Sequence, residues 1–403
     1  MLRYETGPWT CIQDCRYKGT RWTMTFQLSI AVIGSGISGL SAAWLLSRRH
    51  RVTLIEAESR FGGHSNTVDV EGRDGPIPVD TGFIVYNLAS YPNLIALLEY
   101  LGVPTAKTDM SFAVSLNDGG YEYAGSSIRT IFGQLANLGC PDHWRMVTDT
   151  LRFYREATEL LARSGDEDET IGAYLQRSGY SRAFVDRHIQ PMASAIWSTP
   201  SSRMLDFPAT AFARFFANHG LLTIRDRPEW RTVVGGSREY VRRMLADTPA
   251  QRRSGVPVRK VFRHAGGVRV VSDNGPSEFD ACVIATHADD ALALLGDADS
   301  YERELLEAFP YTSNTAVLHR DNRMMPRRRR LWSSWNYIGR ENMRAAPACV
   351  TYWMNNLQPL GSAAPDLFVS LNPDREIAAS KIEATFAYAH PVFDCAAMLR
   401  TTG

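Results

Sequence analysis

The apolar run Ile30-Ala31-Val32-Ile33 stands between polar flanks and has the length and branching of a buried parallel strand. Leu40 to Leu46 is rich in alanine and leucine and predicts a helix, and Val52 to Ile55 predicts a second buried strand. Between the first strand and the helix lies Gly34-Ser35-Gly36-Ile37-Ser38-Gly39, and the second strand ends in Glu56, 22 residues after Gly34. Leu28 to Leu46 carries no charge over 19 residues, but its turn glycines and serines fit a strand plus a helix better than a membrane span. Further on, Pro92 to Leu101 predicts a short helix and Lys107 to Leu116 a strand. His143 to Arg163 sets Met146, Leu151, Phe153, Ala157, Leu160 and Leu161 at helical spacing between charges, and Tyr174 to Trp197 continues the pattern. Val268 to Val271 and Glu278 to Thr286 predict a strand pair. Thr315 to His319, Ala348 to Met354 and Leu367 to Leu371 alternate as strands of an antiparallel sheet do.

The order strand, glycine turn, helix, strand, acid is that of a dinucleotide-binding unit. Gly34 permits the tight turn, Gly36 lets the backbone approach a pyrophosphate, and Gly39 lets helix and strand pack closely. The free N–H groups of the helix start, with the helix dipole, would hold the phosphates, and Glu56 can accept from both hydroxyls of a ribose. Candidate cofactor-binding residues are therefore Gly34, Ser35, Gly36, Ile37, Ser38, Gly39, Glu56 and Ala57.

The continuation, Glu56-Ala57-Glu58-Ser59-Arg60-Phe61-Gly62-Gly63-His64-Ser65-Asn66-Thr67, resembles the extended signature of flavoproteins of the amine oxidase, protoporphyrinogen oxidase and phytoene desaturase superfamily. The resemblance implies FAD and brings Arg60, Gly62, Gly63 and His64 to its pyrophosphate region, where a Cβ on the glycine pair would crowd the cofactor. His64 stands where amine oxidases commonly carry arginine. Val79 to Tyr86 is similar to a segment near the isoalloxazine ring, which implies that Thr81 and Gly82 approach the flavin; an ordinary strand turn is the alternative. Thr232 to Tyr240 resembles a glycine-rich entry to a helix, and Val256 to Val261 the segment whose valine meets the adenine, here Val258. Asp280 to His287 is similar to the family's DxVVxAxP segment.

The implied fold is α/β: a Rossmann-like FAD-binding domain (24–105 and 222–299) interleaved with an α+β substrate domain (106–221 and 300–403). Residues 1–23 read as a non-native or disordered extension before Met24, and the resemblance implies that a final FAD-binding segment is missing after Asp394. GGHSNT, VDTGFIVYN, PMASAIWSTP, NTAVLHRD and WSSWNY resemble one bacterial family of NAD/FAD-binding flavoproteins that accompanies cyclopropane-fatty-acid-synthase-type enzymes. That likeness implies a desaturase-like oxidoreductase acting on a hydrophobic, fatty-acyl or lipid-derived substrate. Two alternatives stay open: a flavin amine oxidase, and a non-catalytic nucleotide-binding partner of a lipid-modifying complex. Many amine oxidases place a lysine near flavin N5, and no lysine lies between Lys260 and Lys381. His319 and Tyr352 are candidates for proton handling, or else packed strand residues. The aromatic cluster Trp197, Phe207, Phe212, Phe215 and Phe216 either forms core or lines a pocket for a greasy substrate.

A formal charge of +1 over 403 residues gives no electrostatic case for nucleic acid. Six cysteines without metal-type spacing suggest a reducing compartment, no disulfide framework and no metal site. The first 23 residues have no apolar core of a secretory signal, so a cytoplasmic protein is expected. Four arginines at 327–330, beside Trp332 and Trp335, read either as a solvated turn or as a contact with anionic headgroups peripheral to the inner membrane.

Overall fold

The computed structural model describes residues 27–162, 169–197, 204–223, 227–341 and 349–392. A four-stranded parallel sheet holds the glycine motif, in the order Gln251–Arg253, Arg51–Ile55, Ser29–Ile33, Ala281–Ile284. Both faces are covered, as an all-parallel sheet requires. Because side chains alternate along a strand, Ile30, Val32, Val52 and Leu54 pack on one face against Leu40 and Ala43 of the Ile37–Leu46 helix and Tyr240, Val241 and Met244 of the Arg238–Ala246 helix. Ala31, Ile33 and Ile55 pack on the other against Val261, Val270 and Phe279 of a three-stranded antiparallel sheet.

The predicted run Glu278 to Thr286 is not one strand. Residues through Phe279 finish the antiparallel sheet, Asp280 turns, and Ala281–Ile284 joins the parallel one. Lys107 to Leu116 is likewise divided: Thr105–Thr108 and Phe112–Leu116 belong to different sheets.

A seven-stranded sheet forms the floor of the rest of the molecule, in the order Ile382–Pro391, Tyr311–His319, Phe368–Leu371, Cys349–Trp353, Trp335–Gly339, Phe112–Leu116, Tyr121–Ala124. Only the Trp335–Gly339 and Phe112–Leu116 pair runs parallel. The helices Pro141–Ala162, Ile171–Arg177, Gln190–Trp197 and Ala209–Asn218 enclose a separate aromatic core around Phe153, Phe184, Phe212 and Phe216. The core reading thus holds for Phe207, Phe212 and Phe216. Phe215, about 100° around the helix from Phe216, is half-buried at the edge of that core and also lines a cavity described below. The acidic stretch Asp166 to Asp168, the Ser198 to Pro200 end of PMASAIWSTP, the head 1–23 and the chain after 392 lie outside the described residues.

A buried carboxylate ties the two halves. Asp80, fully buried at the end of the Gly75–Asp80 strand, accepts from the Ser237 amide and hydroxyl, from Thr67 Oγ1 and from Gln358 Nε2 at 2.6–3.0 Å. Gln358 returns the contact by accepting the Asp80 amide at 2.9 Å. One side chain therefore fixes a hairpin, the mouth of the Arg238–Ala246 helix and a loop of the seven-stranded sheet together.

Candidate functional site: a glycine cradle opening on an apolar cavity

The first turn of the Ile37–Leu46 helix starts at Gly36 and carries no side-chain cap, so its first amides face outward unpaired by a capping group. Gly34 holds φ +95°, and a Cβ there would lie 2.7 Å from the Ala285 carbonyl; a Cβ on Gly39 would lie 1.9 Å from the Gly34 carbonyl. Both glycines are thus required by the protein's own packing. Gly36 is different: a Cβ there would meet no atom within 4 Å. Its absence leaves an open cradle at a helix N-terminus, the place where backbone N–H groups bind phosphate. Ile37, 41% exposed, and Ser38 line the outside of the same turn.

Glu56 has a second role that its spacing did not reveal. Its Oε2 accepts from the Ser35 amide at 2.8 Å and the Ser35 hydroxyl at 2.5 Å, and its Oε1 accepts from the Glu58 amide at 2.9 Å. The carboxylate clamps the glycine turn and keeps lone pairs for a ribose. Ala57 follows it on the exposed rim. Val258 opens the Val258–His264 strand and packs with Ile33 and Ile55, while Val256 donates its amide to the Glu56 carbonyl at 2.9 Å. The proposed adenine residue and the ribose acid therefore share one end of the parallel sheet.

The glycine pair has a packing reason of its own. Gly62 and Gly63 hold φ +123° and +55°, the Gly62 amide reaches the Ser35 carbonyl at 3.1 Å, and a Cβ on Gly63 would lie 3.0 Å from Gly36 Cα. The pair packs on the first glycine turn, so protein backbone alone demands it. Gly82 is similar: a Cβ would lie 2.2 Å from the His64 carbonyl, so packing against His64 already excludes a side chain. Thr81 Oγ1 binds the Asn66 carbonyl at 3.1 Å and the Tyr388 hydroxyl at 2.8 Å.

Two polar atoms at this junction, Arg60 Nη1 and His64 Nε2, are buried with no hydrogen-bond partner among the described residues. Orphaned buried donors are rare and call for a ligand or water. Burial, aided by the nearby His390, His287 and Arg60, lowers the His64 pKa to about 4, so the ring is neutral at pH 7. The open cradle at Gly36 and these two orphans fit the diphosphate of FAD.

Of the two proton-handling candidates, His319 is excluded from the site. It is fully buried, its Nδ1 accepts the Asp321 amide at 3.0 Å, and its Nε2 pairs with Ser370 Oγ at 2.8 Å, which in turn meets Thr351 Oγ1 at 2.7 Å. Both ring nitrogens are spent on structure. Tyr352 does line a cavity, edge-on to Trp335 with ring centroids 5.0 Å apart. Burial pushes its phenol well above the ordinary value, so it stays protonated.

That cavity, about 200 Å³, is walled by Thr81, Gly82, Tyr352, Tyr388 and His390 among others. It shares Val85, Ile196 and Trp335 with a second, about 220 Å³, lined by Met110, Phe112, Met192, Ala195, Phe215 and Leu221. Tyr388 and His390 were missed by pattern reading. Phe386, Tyr388 and His390 alternate along Ile382–Pro391 and so share one sheet face, which was the available signal. His64, His390 and Tyr388 stack there with ring centroids 5.0–5.9 Å apart. His287, Asp289 and Asp290 place three ligand-type atoms within 4.8 Å, but the two acids are exposed at a helix start, where acids are ordinary.

A parallel sheet with an open glycine cradle at a helix start, joined to a mixed, largely antiparallel sheet beneath a pair of cavities, defines a two-domain dinucleotide-binding flavoprotein fold. The chain belongs to the flavin containing amine oxidoreductase family, whose model matches residues 37–331, and the cofactor this membership implies is FAD. It is 26% identical over 272 residues to "Putative flavin-containing monoamine oxidase AofH" of Mycobacterium tuberculosis, covering 66% of this chain and 57% of that protein. It is 31% identical over 181 residues to coproporphyrinogen III oxidase of Propionibacterium freudenreichii, covering 42% of this chain and 31% of that one. The chain thus spans little more than half the length of the first of these relatives. Among solved structures it resembles putrescine oxidase bound to putrescine (TM-score 0.65, 17% identity, 93% of this chain and 90% of that one). It also resembles a CLA-producing fatty acid isomerase from P. acnes (TM-score 0.63, 15% identity, 91% and 87%). At these identities the structures share the fold.

The clamp on the turn makes Glu56 testable. Glu56→Ala removes the Ser35 anchor and the ribose acceptor together, and loss of charge-assisted hydrogen bonds predicts about 1.5–3 kcal/mol weaker FAD binding. Equilibrium dialysis at limiting FAD measures this; an unchanged flavin content would remove Glu56 from the site.

Proposed function

We propose that this chain is an FAD-dependent oxidoreductase that removes hydride from carbon in a hydrophobic, fatty-acyl or lipid-derived substrate. The wall chemistry of the joined cavities carries the reading. Methionine, isoleucine, phenylalanine, leucine and tryptophan side chains dominate the cavity around Met110 and Phe215, the one beside the Thr81–Gly82 turn adds Tyr352, Tyr388 and His390, and no carboxylate lines either one among the described residues. Burial lowers the pKa of His219 and of His390, the latter with help from His287, so both favour the neutral form. An ammonium ion entering this space would find no counter-charge, whereas an acyl chain would be desolvated favourably.

FAD supplies the hydride acceptor when bound, and the chain's own residues supply binding, orientation and dryness. Val85, Ile196 and Trp335 line both cavities, so the space that would take a chain-like substrate borders the one beside the Thr81–Gly82 turn. A second reading, amine oxidation, is supported by what AofH and putrescine oxidase are named for, and opposed by the neutral wall and the missing lysine.

The test is anaerobic mixing of flavin-loaded protein with a monounsaturated or diunsaturated fatty acid, and separately with putrescine or cyclohexylamine. Loss of the oxidised flavin's visible absorption with the fatty acid alone is expected. Bleaching by the amines alone would establish the second reading. Bound flavin that no substrate class reduces would favour a non-catalytic nucleotide-binding partner.

A further inference from the structure

The stretch Ser127 to Trp144 is built inside out. Its side-chain amides face the protein: Gln134 and Asn137 are 7% and 3% exposed. Gln134 Oε1 accepts the Glu122 amide at 2.6 Å, Gln134 Nε2 donates to the Gly120 carbonyl at 2.7 Å, and Asn137 Nδ2 donates to the Glu122 carbonyl at 3.0 Å. Two side-chain amides thereby satisfy the free edge of Tyr121–Ala124, the last strand of the seven-stranded sheet. The apolar side chains beside them face outward. Ile128 is 78% exposed, Leu135 70%, Leu138 51% and Trp144 47%. This is not a loose tail: Trp144 Nε1 donates to the Leu138 carbonyl at 3.0 Å, and the Trp144 ring lies 4.7 Å from that of Phe132. The apolar face is held in place by the buried amides behind it.

Charge decides what the face fits. Leu331, which directly follows the arginine run, lies against this stretch, since a Cβ on Gly133 would fall 2.3 Å from Leu331 Cδ2. Two of the run's four arginines are spent on the fold: Arg328 pairs with buried Glu122 at 2.7 Å, and Arg329 pairs with Asp366 at 3.0 Å while covering Trp332. Arg327 and Arg330, with Arg129 of the stretch itself, are exposed, and their guanidinium groups have no acidic partner among the described residues.

We infer that this face docks on an anionic lipid surface, with Ile128, Leu135 and Leu138 entering the acyl boundary, Trp144 at headgroup depth and Arg129, Arg327 and Arg330 on lipid phosphates. Exposed apolar residues rimmed by cations are what such a surface binds. A second copy fits less well, because a two-fold self-contact would oppose the same unpaired arginines. The inference is independent of the substrate reading: none of these residues lines either cavity.

Co-sedimentation of the full chain with vesicles of phosphatidylglycerol and phosphatidylcholine, against pure phosphatidylcholine, tests it. Binding to the anionic vesicles that weakens with salt is expected. The triple variant Arg129→Gln, Arg327→Gln, Arg330→Gln should bind about fivefold more weakly per charge removed, roughly 100-fold in all. Leu135→Ser with Leu138→Ser, both at exposed positions, should lower binding at least about tenfold at an unchanged melting temperature. Binding to neither vesicle, or equally to both, would overturn the inference. So would a concentration-dependent dimer that the serine variant abolishes, which would assign the face to a second copy of the chain.

Discussion

Gly36→Ala is expected to leave the apoprotein folded and to abolish tight FAD binding. A methyl group at Gly36 meets no protein atom within 4 Å, and the residue's φ of −60° and ψ of 178° are open to alanine. The cost to the apoprotein is that of a poorer helix N-cap, about 1 kcal/mol. The cost to the cofactor is larger, because the methyl fills the cradle over the helix N-terminus and moves the diphosphate off several backbone donors. Two charge-assisted hydrogen bonds lost predict about 3–6 kcal/mol, a fall of at least about 100-fold in affinity. Gly39→Ala is the control with the opposite profile: its methyl would sit 1.9 Å from the Gly34 carbonyl, so helix and turn must separate and the apoprotein itself loses stability. Flavin content by absorbance and melting temperature without added FAD separate the two. Equal loss of stability in both variants would show that Gly36, too, is a packing glycine.

That contrast marks what the sequence could and could not disclose. Strand, glycine turn and helix were legible because each is dictated locally: branched apolar residues, positions that need φ above zero, an alanine-rich run. The acid at Glu56 was legible from spacing, but its grip on Ser35 was not, since spacing shows a position and not the competing partner already beside it. Gly62, Gly63 and Gly82 were found for a cofactor reason, while the chain restricts Gly63 and Gly82 through contacts with Gly36 and His64, 27 and 18 residues away, and Gly62 through the Ser65 carbonyl and Val241. Tyr388 and His390 reach the site only through the register of Ile382–Pro391 on Tyr311–His319, and register is a property of the sheet. His319 illustrates the reverse error. A histidine on a strand has two chemically capable nitrogens, and only the fold reveals that Asp321 and Ser370 occupy both. The four-arginine run divided for the same reason, two side chains being paired by acids far along the chain and two having no acidic partner among the described residues.

A marked loss of stability between pH 7 and pH 4.5 is the second large effect expected, and it comes from buried histidines outside the cofactor site. His143, His188 and His319 are 0%, 6% and 0% exposed, and burial lowers each pKa to about 4, against 6.5 in an unfolded chain. Below pH 6.5 the unfolded state therefore binds protons that the native state refuses, so these rings contribute full stability above pH 6.5 and lose it as pH falls toward 4. Each contributes about 2–3 kcal/mol over that range. Asp80 acts in the opposite sense: burial raises its carboxyl to about 6 against the hydrogen bonds that favour ionisation, so its contribution is present below pH 3.8 and is lost as pH rises through 6. It returns about 2 kcal/mol on acidification, one group against three. The net loss is on the order of 5 kcal/mol, comparable with the whole stability of many domains. Urea midpoints at pH 7, 5.5 and 4.5 should fall in that order, and His188→Phe, which cannot take a proton, should flatten the slope by about half. A midpoint independent of pH would mean that the three rings take up protons in the native state as readily as in the unfolded chain, and that His319 does not hold Asp321 and Ser370 as a neutral imidazole.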